Sequence, residues 1–317
     1  MRRRDFIALI SSATIWPIAA ETQQAKIHRV GALLLPDADV GALIRELSDE
    51  LRKAGFIEGQ NLAFEIRSGE EAVLPKLASE LVDLKVDVLV ALYTPCAIAA
   101  QRATKDIPIV IMSGDPLGTG LVPSLGRPGG NITGVSLMAA ELFGKCVELL
   151  RDALPSVRRV AALANGADPF SKPFLEHVQL AGKAIGIEII PTIISGPDKV
   201  DQAFALIKKE SADAVIVQGS LASKRAAELA LSRGLPAVTV PRSFVDYGGL
   251  MSYGLDGPDS FRRCAAFVKK ILEGARPGDL PVEQPSKFEL VINLRTAKAL
   301  GIQVPPSFVV RADEVIE

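Results

Sequence analysis

The sequence predicts an α/β protein made of two doubly wound parallel-sheet lobes joined by a three-strand hinge. Three observations lead to this prediction. Short β-branched runs alternate with amphipathic helical stretches from His28 onward, the order expected of βα units. The strands are apolar throughout, as in sheets that helices cover on both faces. The second half of the chain then repeats the pattern of the first.

The first half contains five predicted strands with helices between the first four. The strands are Arg29–Leu35, Leu62–Arg67, Val86–Leu92, Ile107–Met112 and Asn131–Ser136. The helices are Val40–Ala54, Glu71–Leu84 and Pro95–Thr104. Gly55 ends the first helix, because glycine readily adopts the left-handed conformation that follows many helices.

The second half restarts the same alternation. Its predicted strands are Arg159–Ala164, Ile187–Ile194, Ala214–Val217 and Ala237–Val240. Its predicted helices are Pro173–Ile185, Val200–Glu210 and Ala222–Arg233. The halves also share a local motif, since Val86-Asp87-Val88 matches Ala212-Asp213-Ala214 and each is followed roughly twenty residues later by an apolar-Pro pair. We interpret this match as a pseudo-duplication.

The C-terminal elements are too few to bury a core of their own, so we expect them to complete the two sheets. They are the strands Leu250–Gly254 and Phe288–Ile292 and the helices Ser260–Leu272 and Arg295–Leu300. The predicted hinge crossings are Ser136–Ala140, Gly248–Leu250 and Pro281–Pro285. One lobe is then predicted to hold residues 26–136 and 250–282, and the other residues 137–249 and 283–317.

The first 25 residues predict an export signal. Arginines at positions 2 to 4 precede an apolar stretch that ends near Ala20 and is too short to span a bilayer. Arg3-Arg4-Asp5-Phe6 resembles a twin-arginine signal, although the export route stays open. We expect cleavage between about Ala19 and Gln24 and a periplasmic location.

Composition argues against several classes of protein. A net charge of −1 gives no electrostatic support for binding nucleic acid. The two histidines have no zinc-binding spacing, and the three cysteines, Cys96, Cys146 and Cys264, are predicted to be buried thiols. With no recognisable nucleophile and base and no dinucleotide motif, the sequence predicts a protein that is not an enzyme and has no metal or cofactor.

Long motifs resemble one family. The segments Arg127–Ser136 (RPGGNITGVS), Gly249–Gly254 (GLMSYG) and Leu280–Asn293 (LPVEQPSKFELVIN) are similar to signatures of the tryptophan-binding-like ABC transporter substrate-binding proteins. The resemblance implies a type I periplasmic-binding-protein fold, a small-molecule solute in the cleft between the lobes and an ABC permease in the inner membrane as partner. Better-understood members bind amino acids, aromatic ones among them.

The predicted function is therefore capture of a small carboxylate-bearing ligand, an amino acid or a related organic acid, by hinge closure. The alternative is a ligand-presenting sensor for a membrane receptor or kinase. We expect a monomer. The family often has smaller residues where this sequence has Tyr93 and Cys96, and a loop richer in serine where it has Leu35-Pro36-Asp37. The resemblance therefore does not name the ligand.

Candidate ligand contacts follow from the rule that ligands bind beyond the carboxyl ends of the strands. In the first lobe they are Tyr93, Thr94, Pro95, Asp115 and Ser136. Thr94 is expected to cap a helix with Pro95 in its first turn, which favours a ligand carboxylate. Asp115 can pair with a ligand ammonium or satisfy turn donors, and Ser136 can face the cleft or stabilise the crossover.

The second lobe supplies four further candidates, Asn165, Asp168, Ser220 and Asp246. Tyr253, in the GLMSYG segment next to a predicted crossing, is the last candidate. Ser220 occupies a place comparable to that of Thr94, because both follow matched strands. Asp246 is either a ligand contact or a charge at the rim, and Tyr253 either stacks on a ligand or packs at the hinge.

Overall fold

The computed structural model describes residues 26–36 and 39–317, and it has two α/β lobes, each built around one sheet. The predicted export signal and the loop residue Asp37 lie outside the described residues. None of the described helices is both long and apolar enough to cross a membrane.

The first lobe has a five-stranded parallel sheet in the order β2-β1-β3-β4-β5. The strands are β1 (His28–Leu34), β2 (Leu62–Ser68), β3 (Val88–Leu92), β4 (Ile109–Ser113) and β5 (Ile132–Ser136). The helices are α1 (Val40–Lys53), α2 (Leu74–Asp83) and α3 (Thr94–Ala103). Every residue of β3 and β4 is buried, because an apolar cluster covers each face of the sheet.

The second lobe has a seven-stranded sheet in the order β12-β11-β10-β9-β8-β6-β7. The strands are β6 (Arg159–Asn165), β7 (Glu188–Ile194), β8 (Ala214–Val217), β9 (Ala237–Thr239), β10 (Met251–Leu255), β11 (Phe288–Asn293) and β12 (Glu314–Ile316). The helices that precede β10 are α4 (Ala139–Ala153), α5 (Ser171–Ile185), α6 (Val200–Lys209), α7 (Lys224–Ser232) and α8 (Ser243–Asp246). The pairing of β10 with β11 is antiparallel, and the other pairs in this sheet are parallel.

The two lobes repeat one strand order. The order β2-β1-β3-β4-β5 of the first sheet corresponds to β7-β6-β8-β9-β10 in the second. The repeated aspartate motif has the same role in both lobes. The Asp87 carboxylate accepts a hydrogen bond from the Arg29 N–H at 2.8 Å, and the Asp213 carboxylate accepts one from the Arg159 N–H at 2.9 Å. Both contacts tie the third strand of the sheet to the first, which supports the interpretation of a pseudo-duplication.

The last elements are divided between the lobes differently from the prediction. Helix α9 (Gly257–Leu272) packs beside α1 of the first lobe, whereas α10 (Leu294–Ala299) and α11 (Pro306–Val309) stay with the second. Strand β10 was predicted to belong to the first lobe with the rest of residues 250–282. It is hydrogen-bonded between β9 and β11 instead, so this part of the assignment is wrong. The other predicted lobe boundaries, near residues 136 and 282, stay a prediction.

Three chain segments join the lobes. In the first, Leu137 donates its N–H to the Ser113 carbonyl at 2.8 Å and Met138 adopts a left-handed φ of 48°. The second passes through Asp256 between β10 and α9, not through Gly248–Leu250 as predicted, because Leu250 already donates to Ala237 inside the second lobe. The third contains Glu283, which is paired with β5.

Helix α4 is an element that the sequence analysis did not assign. It follows the first hinge segment, and its buried residues include Phe143, Cys146, Val147 and Leu150. These positions recur at intervals of three and four, which is the spacing of an amphipathic helix. The signal was therefore present in the sequence, but the segment had been interpreted only as a crossover.

Candidate ligand-binding cleft

Two adjoining cavities lie in the cleft between the lobes. The larger has a volume of about 240 Å³ and the smaller about 60 Å³. Tyr93, Ser220 and Pro241 line both cavities. Each of these residues follows the carboxyl end of a central strand or lies in the loop after it, which is where the topology rule predicts a ligand.

Both lobes contribute walls to the larger cavity. The first lobe supplies Leu35, Pro36, Glu70, Glu71 and Tyr93. The second lobe supplies Pro197, Gly219, Ser220, Ala222, Pro241 and Ser243. Most of these side chains are apolar or small, and the two carboxylates come from the first lobe only.

The smaller cavity has aromatic walls and one buried carboxylate. Its lining includes Thr94, Gly114, Phe143, Asp168, Phe170 and Ser220. Gly114 of the first lobe lies against the ring of Phe170 in the second, and a Cβ at position 114 would come within 3.0 Å of that ring. A glycine at this position therefore allows the two lobes to approach closely.

The turn between β3 and α3 delivers Tyr93 and Thr94 to the cavities. Tyr93 has a left-handed φ of 69° and donates its N–H to the Met112 carbonyl at 2.7 Å. Thr94 was predicted to cap α3, and this is wrong. It is the first helical residue, and its hydroxyl lies 3.0 Å from the Ser113 hydroxyl. Pro95 occupies the first turn as predicted, but it lines neither cavity.

Asp168 is the buried carboxylate of the cleft, with only 4% of its surface exposed. Its two oxygens accept hydrogen bonds from the Phe170 N–H at 2.9 Å and from the Gln218 side chain at 2.8 Å. Burial raises the pKa of Asp168 to about 6, because the ionised form loses its hydration, and the two hydrogen bonds limit this rise.

Ser220 brings a hydroxyl to the same carboxylate. The Ser220 hydroxyl lies close enough to lower the pKa of Asp168. In the described part of the chain, Oγ of Ser220 is buried and has no hydrogen-bond partner of good geometry. Buried hydroxyls are usually paired, and an unpaired one that lines a cavity is suited to a ligand.

A hydrogen-bonded chain of side chains crosses the cleft. The Asn165 amide donates to the Glu71 carboxylate of the first lobe at 2.8 Å. The Asn165 backbone N–H donates to the side-chain oxygen Oε1 of Gln218 at 2.9 Å, and the Gln218 side-chain N–H in turn donates to the Asp168 carboxylate at 2.8 Å. Asn165 is completely buried and lines neither cavity, so it positions other groups instead of presenting its own side chain.

Two further candidates of the first lobe lie away from both cavities. Asp115 accepts a hydrogen bond from the Gly118 N–H at 2.8 Å and so closes the turn after β4. Ser136 accepts one from the Met138 N–H at 3.4 Å in the first hinge segment. Of the alternatives that the sequence left open, the geometry favours the turn for Asp115 and the crossover for Ser136.

The second lobe has two such candidates as well. Asp246 lies 2.5 Å from Arg242 in an exposed ion pair and is a charge at the surface. The ring of Tyr253 lies 5.9 Å from that of Phe288 and packs against the core of the second lobe. Neither residue lines a cavity, so the structure does not support either as a ligand contact.

Glu71, Phe170 and Gln218 lie at the candidate cleft but were not selected by the sequence analysis. Glu71 follows β2 within three residues, so the rule of strand carboxyl ends could have selected it. It had been assigned only as the start of a helix. The place of Phe170 depends on contact between the lobes, which no local sequence pattern reports.

The charged side chains among the described residues that line the two cavities are all negative. Among the described residues that line the cavities, Glu70, Glu71 and Asp168 are carboxylates, and none is a lysine, arginine or histidine. The three cysteines are buried and free, as predicted. Within the described residues, no group of three or more His, Cys, Asp or Glu side chains is placed to hold a metal ion.

Two sheets of matching strand order, three connecting segments and a cavity between the lobes define a type I periplasmic-binding-protein fold. The family model of the ABC transporter substrate-binding proteins matches residues 40–316. The chain belongs to this family. Proteins of the family bind a substrate and do not convert it, so the chain is not an enzyme.

Individual relatives agree with this membership. A tyrosine-binding protein of Clostridioides difficile is 29% identical over 259 residues, which are 80% of this chain and 74% of the relative. A conserved domain protein of Vibrio cholerae is 30% identical with a TM-score of 0.84, over 92% of this chain and all of the other. An ABC domain of Streptococcus pneumoniae in complex with L-Trp is 26% identical with the same TM-score and coverage.

Proposed function

We propose that the protein is the exported solute-binding component of an ABC importer and that its ligand is an L-amino acid with an aromatic side chain. The observation that carries this proposal is a buried carboxylate, Asp168, beside the unpaired hydroxyl of Ser220 at a cavity between the lobes. The tyrosine-binding relative and the tryptophan-bound structure support the same class of ligand.

The ammonium group of the ligand is expected to bind at Asp168. A buried carboxylate without a cationic neighbour among the described cavity residues is stabilised by a positively charged partner. Asp168 keeps acceptor capacity, because each of its oxygens takes a single protein hydrogen bond of good geometry. The Ser220 hydroxyl adds a polar contact at the same place.

The carboxylate of the ligand is expected to face the first turn of α3. The N–H groups of a first helical turn lack partners within the helix, and the helix dipole favours a negative charge there. Thr94 lines the smaller cavity together with Asp168. In an amino acid bound there, the ammonium group faces the Asp168 carboxylate and the carboxylate faces the first turn of α3.

The side chain of the ligand is then expected to occupy the larger cavity. Its volume of about 240 Å³ is below the roughly 300–1,000 Å³ of typical drug-sized pockets, which suits a ligand as small as an amino acid. Tyr93 can offer a stacking face, and Leu35, Pro36 and Pro197 offer apolar contact.

The proposed mechanism is closure without chemistry. A ligand that contacts both lobes lowers the free energy of the closed shape, which the membrane partner can then recognise. Membership of the ABC transporter family favours an inner-membrane permease as that partner over a sensor kinase. Export by the signal at residues 1–25, cleavage between about Ala19 and Gln24, a periplasmic location and a monomeric state are parts of the same proposal.

A thermal-shift titration of the purified protein tests the proposed ligand class. At a hundredfold excess over its dissociation constant, a ligand of the folded state stabilises it by about 2.7 kcal/mol. We expect a shift with L-tyrosine, L-tryptophan or L-phenylalanine, its loss in Asp168→Asn, and its retention in Asp115→Asn, which changes a carboxylate away from the cavities. No shift with any of the three, or an unchanged shift in Asp168→Asn, would contradict the proposal.

A further inference from the structure

We infer that Glu71 is a specificity-determining residue that, together with Asp168 of the opposite lobe, makes closure of the cleft conditional on a ligand ammonium group. This inference rests on the proposed function and deepens it, because it names the chemical group that every tight ligand must carry. It also assigns a role to a residue of the first lobe that the sequence analysis did not select.

The geometry places Glu71 on the closing surface. It lies in a single 3₁₀ turn between β2 and α2, lines the larger cavity and accepts a hydrogen bond from Asn165 across the cleft at 2.8 Å. This contact engages only one of its carboxylate oxygens. The other is available to a ligand that enters between the lobes.

Closure brings two like charges towards each other. The negative charge of Glu71 raises the pKa of Asp168 beyond the effect of burial, so the two carboxylates interact across the cleft. No cationic side chain among the described residues that line the cavities compensates this repulsion. Asn165 and Gln218 hold both carboxylates in place but carry no charge.

A ligand ammonium supplies the missing positive charge. Bound at Asp168, it offsets the repulsion between the two carboxylates, and closure becomes favourable. A carboxylic acid of the same shape without an amine adds a further negative charge instead. The cleft therefore selects amine-bearing ligands over the related organic acids that the sequence analysis also considered.

Glu71→Gln tests this role with little disturbance of structure. Glutamine keeps an oxygen that can accept from Asn165, so the variant removes the charge alone. Glu58→Gln is the matched control, because it removes an exposed charge of the same lobe that lines neither cavity. Asp168→Asn removes the opposing charge and should reproduce the effect of Glu71→Gln on the ligand-free protein.

The first readout needs no ligand. Small-angle X-ray scattering of the ligand-free proteins should give a smaller radius of gyration for Glu71→Gln and for Asp168→Asn than for wild type and Glu58→Gln, because relief of repulsion lets the lobes close. A radius of gyration for Glu71→Gln equal to that of wild type would overturn the inference.

The second readout is selectivity. Titration calorimetry compares L-tyrosine with 3-(4-hydroxyphenyl)propionate, which lacks only the amine. The preference for L-tyrosine is the ratio of the two dissociation constants. We expect Glu71→Gln to reduce this ratio about tenfold, because a charge-assisted hydrogen bond is lost. We expect Glu58→Gln to leave the ratio unchanged. An unchanged preference in Glu71→Gln would also overturn the inference. If no aromatic amino acid binds the wild-type protein, the proposed function fails, and the scattering result still decides whether the carboxylates oppose closure.

Discussion

The amide nitrogen of Asn165 lies 2.8 Å from a carboxylate oxygen of Glu71, and this hydrogen bond joins the two lobes across the ligand cleft. Asn165 ends β6 of the second lobe, whereas Glu71 lies between β2 and α2 of the first. Since Asn165 is completely buried and Glu71 is partly exposed, the bond lies at the edge of the cleft. Asn165 also contacts Gln218, which in turn holds the Asp168 carboxylate.

Asn165→Ala should weaken ligand binding. The substitution removes the bond to Glu71 and also leaves the Ala167 N–H without the Asn165 side-chain oxygen that accepts from it. We expect affinity for the amino acid to fall about tenfold in calorimetry, the value of one hydrogen bond to a charged group. Asn131→Ala is the control, because it breaks hydrogen bonds within the first lobe only and should lower stability without changing affinity.

Ligand affinity should depend on pH through Asp168. Its pKa is raised to about 6 by burial, and only the ionised form attracts an ammonium group. Aromatic amino acids remain zwitterions between pH 5 and pH 8, so their own charge does not change over this range. We therefore expect calorimetry to show roughly tenfold weaker binding at pH 5 than at pH 8. Asp115→Asn, which still binds ligand, should keep this dependence. A wild-type affinity equal at pH 5 and pH 8 would contradict this role of Asp168.

The free energy of unfolding of the ligand-free protein should depend on pH in the opposite direction to ligand affinity. Asp168 has a higher pKa in the folded protein than the value of about 3.9 expected of an unfolded chain, so the folded state binds the proton more tightly. Its stabilising contribution is present below about pH 4 and is lost as the pH rises through 6. Urea unfolding gives the free energy of unfolding of each protein. The value for Asp168→Asn minus the value for wild type should rise by roughly 2 kcal/mol from pH 4.5 to pH 7.5, because only wild type loses stability over this range. A constant difference would show that Asp168 is not perturbed.

Gly134→Ala should destabilise the first lobe. Gly134 lies in β5 with a φ of 137°, and a Cβ there would overlap the backbone of Ile111 in the neighbouring strand. We expect a loss of about 3 kcal/mol in urea unfolding. Gly129→Ala, at a φ of 65° in open space, should cost only about 1 kcal/mol. Equal losses would mean that the close approach at Gly134 does not matter.

Local patterns in the sequence predicted most of the fold. Apolar runs and helical spacing predicted most strands and helices to within two or three residues, as for β6, predicted over Arg159–Ala164 and observed over Arg159–Asn165. The lobe of β10 was predicted wrongly, because its partners β9 and β11 are selected by tertiary packing and not by its own sequence.

The candidate site could be predicted only in part from the sequence. Thr94, Asp168 and Ser220 were selected because they come just after strands, and the structure places all three beside a cavity between the lobes. The same rule also selected Asp115, whose carboxylate is used by the Gly118 N–H of its own turn. Glu71 was not selected, since its contact with Asn165 depends on how the two lobes lie against each other.

A crystal structure of the protein with the aromatic amino acid that gives the largest thermal shift is the most direct test of the central claim. We predict that the ligand lies between the lobes, with its ammonium within hydrogen-bond distance of the Asp168 carboxylate and its side chain in the larger cavity. A ligand bound outside the cleft, or one whose ammonium faces away from Asp168, would contradict it.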